Sequence, residues 1–222
     1  MRVFQKQTWL SLLFAVALFC FIVTVSIGLP IYFRPFYYAH ITPMHLPELS
    51  GFTKAEIKTA YNEVLDYLTI PGKPFGTGVM AHSAEGAAHF ADCKVLFDLN
   101  AAVLLCSGAV LLVLWLLQRV GKTGAYRLGR RSSAFYAALS AVVLPPVIGG
   151  LAALDFDRAF VIFHKIFFPG KSNWIFDWRT DEIILVLPQD FFMHCAMFIG
   201  AGLLLFSGTL LLREYLQRNK TK

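Results

Sequence analysis

Charge is scarce in this sequence. Asp, Glu, Lys and Arg make up 15% of its 222 residues, against about 25% in soluble domains. With 57% of residues hydrophobic, that shortage argues against an ordinary soluble globule. Cysteine is scarce too. Cys20, Cys93, Cys106 and Cys195 show neither zinc-ligand spacing nor a disulfide framework. No G-x-S-x-G elbow occurs, and Ser50, Ser83 and Ser172, the serines considered outside the apolar runs, lack a nucleophile's context. A serine acyl-enzyme is therefore not indicated. The stretch Phe75 to Val79 is rich in glycine but lacks the lysine and helix start of a phosphate loop. Internal repeats, low-complexity tracts and domain linkers are absent as well.

What the chain has in abundance is long apolar runs. Four of them, at about 9–29, 95–117, 132–154 and 191–212, reach the roughly 20 residues a helix needs to cross about 30 Å of hydrocarbon. The first follows a basic start but is too long for a signal peptide's apolar core and has no small-residue cleavage pattern, so it reads as a retained span. The expected fold is an all-α membrane protein, a single integral membrane domain over 1–222. Its four transmembrane helices carry an extracellular cap made of two long external segments, 30–94 and 155–189. Residues 118–131 form a short loop on the other side.

Charge sign sets the orientation. The N-terminus, the loop after the second run and the C-terminal tail hold eleven bases against one acid, whereas the rest holds nine bases against thirteen acids. By the positive-inside rule both termini and the short loop are cytoplasmic, and the two long segments face outward from the cell membrane. The basic loop points to anionic membrane lipid as its partner and not to nucleic acid.

Proline and glycine mark the boundaries. Pro30 and Pro35 should end the first span, Gly121 and Gly124 should turn the cytoplasmic hairpin, and Pro188 should precede the fourth span. Pro145-Pro146 and Gly149-Gly150 predict a bend in the third. Thr53 and Glu56 have capping-box spacing, and Ile57, Tyr61, Val64, Leu65 and Leu68 follow at helical intervals, which predicts an amphipathic helix from about Lys54 to Leu68. The residues from Ala81 can run as a helix straight into the second span, although Gly86 weakens it.

All six histidines, His40, His45, His82, His89, His164 and His194, fall on the external side. Histidine titrates near neutral pH, so this one-sidedness places any acid–base chemistry there. His82, Glu85 and His89 share a helix face, but the outer two stand about 10.5 Å apart along the axis. That is not zincin spacing, and neither a metal nor any other cofactor is expected. Asp92 and Lys94 follow His89 closely. Around His164 the second segment is dense in Phe and Trp, including Trp174, Phe176 and Trp178, with Asp177 and Asp181 among them. Apolar walls with few polar groups suit an acyl chain and its ester. Two histidines without a covalent nucleophile suit a reaction in which the substrate supplies it.

These stretches resemble a known family. Gly51 to Ile57 with Tyr61, His89 to Phe97, and Phe163 to Phe168 with Trp174, Phe176, Asp177, Asp181 and Leu187-Pro188 are similar to the bacterial lipoprotein intramolecular transacylase (Lit) family over essentially the whole chain. The His89 motif differs from the usual family form at Phe90 and Cys93. The resemblance implies an acyltransferase acting on diacylglyceryl-modified bacterial lipoproteins. It moves the sn-2 acyl chain to the α-amino group of the N-terminal cysteine and leaves a lyso-form lipoprotein. It further implies that His89 and His164 are catalytic, and Asp92, Lys94, Trp174, Phe176, Asp177 and Asp181 are the candidates for orienting the substrate. Two other readings stay open: a cap-bearing membrane protein that binds lipid or peptide without catalysis, and a membrane metal hydrolase using His82, Glu85 and His89.

Overall fold

The computed structural model describes residues 2–220, without the side chains of 2–6, 145, 146, 148 and 151–153. In chain order its elements are α1 (Arg2–Tyr32), α2 (Pro35–His40), α3 (Leu46–Ser50), α4 (Lys54–Thr69), α5 (Ala84–Arg119), β1 (Arg127–Leu128), β2 (Arg131–Ser132), α6 (Ser133–Leu154), α7 (Phe156–Phe167), α8 (Ile183–Val186) and α9 (Gln189–Asn219). The protein is thus mostly helical. Each apolar run falls on one helix, α1, α5, α6 or α9, with the third run starting one residue ahead of α6. Among the described residues, α1, α5 and α9 are long and apolar enough to cross a membrane, and Ser133–Leu144 of α6 is a shorter apolar helix.

The chain divides into two compact units. One comprises Met1–Leu29, Asn100–Gly150 and Phe198–Lys222. In it Ile22, Ala141 and Leu203 pack together with Leu18, Phe19, Leu144 and Phe206 around them. Small residues let helices approach in apolar surroundings, and Gly202 does so here: a Cβ on it would stand 2.6 Å from Leu29 Cδ1. Asn100 Nδ2 donates to the Thr24 carbonyl at 3.4 Å. The glycine-turned loop also contains a feature the sequence did not suggest, the antiparallel ladder Arg127↔Ser132 and Leu128↔Arg131. Tyr126 anchors that loop, donating its hydroxyl to the Leu114 carbonyl at 2.7 Å and stacking on Phe14.

The second unit comprises Pro30–Leu99 and Leu151–Met197. Its core is built on α4, whose Ile57, Tyr61, Val64, Leu65 and Leu68 are all buried. The capping box forms as expected, with Glu56 N donating to Thr53 Oγ1 and Thr53 N to Glu56 Oε2. Tyr37 from α2 stacks on Tyr61 with centroids 3.8 Å apart and donates to the Val186 carbonyl at 2.7 Å.

Two proline expectations need correction. Pro30 lies inside α1, which continues to Tyr32; so near the helix end, the lost backbone bond disturbs little that follows. Pro35 opens α2 instead of closing α1, at a position where its missing N–H costs nothing. The bend expected at Pro145-Pro146 lies outside the described residues.

Candidate active site

The site is assembled entirely within the second unit. Helix α5 begins well before its apolar run, and what starts it is an interlock with the loop before α8. Asp181, only 3% exposed, accepts from Ser83 N and Ser83 Oγ, both at 2.9 Å, and from Thr180 Oγ1 at 2.8 Å. Ser83 Oγ in turn accepts from Gly86 N at 2.9 Å, the bond of an N-cap residue. A buried carboxylate is tolerated because three donors satisfy it. Asp177 shapes the same loop, its Oδ1 accepting from Arg179 N at 3.0 Å. Asp177 and Asp181 thus hold the platform from which α5 presents His89.

His89 and His164 meet. Their ring centroids are 5.7 Å apart, and they are 5% and 6% exposed. Phe168 and Phe176 stand edge-on to His89 at 5.0 and 5.4 Å, and Trp174 stacks on His164 at 4.7 Å. His164 Nδ1 lies 2.7 Å from the Phe160 carbonyl one turn back on α7. A carbonyl only accepts, so that nitrogen carries the proton and the neutral ring keeps its lone pair on Nε2. His89 Nε2 lies 3.4 Å from Cys93 Sγ, and its buried Nδ1 has no hydrogen-bond partner among the described residues.

The orienting candidates divide. Trp174 and Phe176 line the pair. Asp92, one turn beyond His89, accepts from Lys171 Nζ and, at 3.0 Å, from Asn173 Nδ2. Lys94 is engaged elsewhere, by Asp98 at 3.5 Å and over the Tyr67 ring. Trp174 Nε1 donates to the Lys171 carbonyl at 3.0 Å. Phe160, Phe168, Lys171 and Asn173 were not singled out from sequence. Phe160 meets His164 one turn along α7, whereas Phe168 reaches His89, and Lys171 and Asn173 reach Asp92, across fold contacts that carry no local signal. A second imidazole pair, His40 and His194, packs with centroids 4.9 Å apart, whereas His82 joins Thr77 Oγ1 at 2.9 Å.

The family model of the lipoprotein intramolecular transacylase Lit matches residues 12–192. The chain belongs to the Lit family. That name denotes an acyltransferase acting on lipoproteins. The fold agrees: the membrane-integral lipoprotein intramolecular transacylase Lit from Bacillus cereus superposes with a TM-score of 0.86 at 23% identity, over 98% of this chain and 99% of that one. Structures of the same protein with a histidine replaced by arginine or by alanine superpose at 0.75, with 22% and 23% identity over 98% of this chain and 96% and 97% of theirs. No curated protein matches the sequence.

Burial governs the electrostatics of the pair. It pulls His89 down to about 4, with the neighbouring His164 adding to the effect. It also lowers His164, against the opposing pull of the Phe160 carbonyl. Both rings are therefore neutral at neutral pH. The unfolded chain takes protons on these imidazoles as pH falls through about 6.5, while folded His89 refuses one until about 4. Stability should drop across that interval as pH falls. Thermal unfolding in detergent should show it, with His89→Gln losing less between pH 6.5 and 4 than the intact protein. Equal losses would mean that His89 is not held neutral. Among the described residues, no group of three His, Cys, Asp or Glu side chains could hold a metal ion, and His82, Glu85 and His89 form no such set.

Proposed function

We propose that this chain moves the sn-2 acyl chain of a diacylglyceryl-cysteine lipoprotein to the α-amino group of the same cysteine, yielding the lyso form, with His89 and His164 as acid and base. The observation that carries this reading is the buried, neutral imidazole pair walled by Phe168, Trp174 and Phe176. The α-amine starts as an ammonium with a pKa near 8 and finishes as an amide N–H, so its nitrogen loses two protons. The C–N bond forms, the ester C–O bond breaks, one proton ends on the glyceryl oxygen and the other passes to solvent. A neutral imidazole receives each proton, and an imidazolium returns one to the departing oxygen.

Attack closes an eight-membered ring through N, Cα, Cβ, S, two glyceryl carbons, the ester oxygen and the carbonyl carbon. Rings of this size close reluctantly, and holding a near-attack geometry contributes on the order of several kcal/mol. The aromatic walls supply that confinement. The tetrahedral oxyanion needs a donor, for which an imidazolium, Trp174 and Lys94 are the candidates; Trp174 Nε1 is bonded to the Lys171 carbonyl and Lys94 to Asp98. In this reading α6 is the third of four spans, both termini are cytoplasmic and residues 30–94 and 155–189 form the extracellular cap.

The test is fragmentation mass spectrometry of a lipoprotein N-terminal peptide from cells with and without the protein, which separates the N-acylated lyso product from its equal-mass diacylglyceryl isomer. The product should appear only with the protein. Unchanged diacylglyceryl-cysteine would leave this reading without support.

A further inference from the structure

The ion pair beside the two histidines has a chemical oddity. Two carboxylates lie within a helical turn of His89 on α5, Glu85 four residues before it and Asp92 three residues after, separations that put side chains about 5–6 Å apart at Cβ; Asp92 is the one in the ion pair. One of its oxygens accepts from Lys171 Nζ and the other from Asn173 Nδ2. The Lys171 group is a primary ammonium, the same functional group a lipoprotein N-terminus brings to the site. Its side chain is 49% exposed and that of Asp92 21%, so this is a solvated pair that can exchange at small cost, since exposed ion pairs contribute about 0–1 kcal/mol. Beside it, Asn173 Oδ1 is buried and has no donor among the described residues.

Resting on the transacylase reading above, we propose that Asp92 and Asn173 form the receptor for the substrate's α-ammonium, and that Lys171 occupies it until substrate arrives. An ammonium presents three N–H donors. The Asp92 carboxylate and Asn173 Oδ1 accept two of them, leaving the third for an imidazole. His89 already feels both charges, the Asp92 carboxylate and the Lys171 ammonium.

A purely structural Asp92 would also matter to activity, so the test reads amine recognition and not turnover. The probes are two synthetic lipopeptides with an sn-2 ether in place of the ester, one with a free α-amine and one N-acetylated; neither can transfer an acyl chain. Both are titrated against the full-length protein in detergent. Charge-assisted hydrogen bonds make the free amine bind about tenfold tighter or more. That ratio should collapse to within about twofold in Asp92→Asn and widen in Lys171→Met, where the resident competitor is gone. Equal weakening of both probes in Asp92→Asn, a ratio near one in the intact protein, or no widening in Lys171→Met would each overturn the proposal. Lys171→Met decides the matter by itself if Asp92→Asn does not fold. Conversion of the ester lipopeptide by the intact protein is measured separately, so failure of the transacylase reading shows there and not in the ratio.

Discussion

His164→Gln and His89→Gln should each leave a folded protein that hardly moves the acyl chain. Glutamine keeps much of the size and hydrogen-bonding capacity of the imidazole but does not exchange protons near neutral pH, a loss of about 10²- to 10⁴-fold. The reason to expect two large effects is the proton count: in the proposed transfer the attacking nitrogen gives up two protons, and these two buried rings lie with centroids 5.7 Å apart. His82→Gln and His194→Gln should be far milder, because His82 is engaged by Thr77 and His194 by His40. Conversion of a lipoprotein N-terminal peptide is read by fragmentation mass spectrometry, with a thermal unfolding curve to establish folding. Full conversion by either of the first two variants would remove that histidine from the mechanism.

Gly86→Ala should destabilise the protein and silence the site, although helix propensity alone points the other way. In a helix interior Ala is favoured over Gly by about 1 kcal/mol. Here an added Cβ would stand 2.9 Å from Asp181 Cγ and 3.1 Å from the Phe176 ring. Neither neighbour can yield freely, since Asp181 is fixed by Ser83 and Thr180 and Phe176 packs on His89. Overpacking of this kind costs roughly 1–3 kcal/mol and pushes apart the cap of α5 and the wall of the site together. Gly208→Ala is the comparison, because nothing lies within 4 Å of its Cβ position, and its unfolding midpoint should hold or rise. A midpoint for Gly86→Ala that also holds or rises would falsify the interlock.

How much of this was legible depends on the range of the interaction. The α4 helix was readable because its capping box and apolar stripe are local, set by residues three and four apart. The histidines stood out by residue type and by family motif. That His89 and His164 share one site could be expected only from the family, as 75 positions separate them. Gly86 was misjudged for the same reason: propensity sees the helix it sits in, while Asp181 and Phe176 arrive from the other external segment. The partners of Asp92 were hidden likewise, since Lys171 and Asn173 lie on a loop far along the chain. Pro30 misled because a helix-breaking residue breaks little when only two residues follow it.

Helix α5 is continuous from His89 to Val95, where its apolar run begins. Val95 lies six positions after His89, so the imidazole stands about 9 Å along the axis from the start of that run, at a fixed angular phase. The stretch between them is helical throughout and has no loop in which to absorb an error. One residue added or removed there would turn the ring by about 100° and shift it by about 1.5 Å, taking it out of phase with His164. For this segment, length is as stringent a requirement as residue identity.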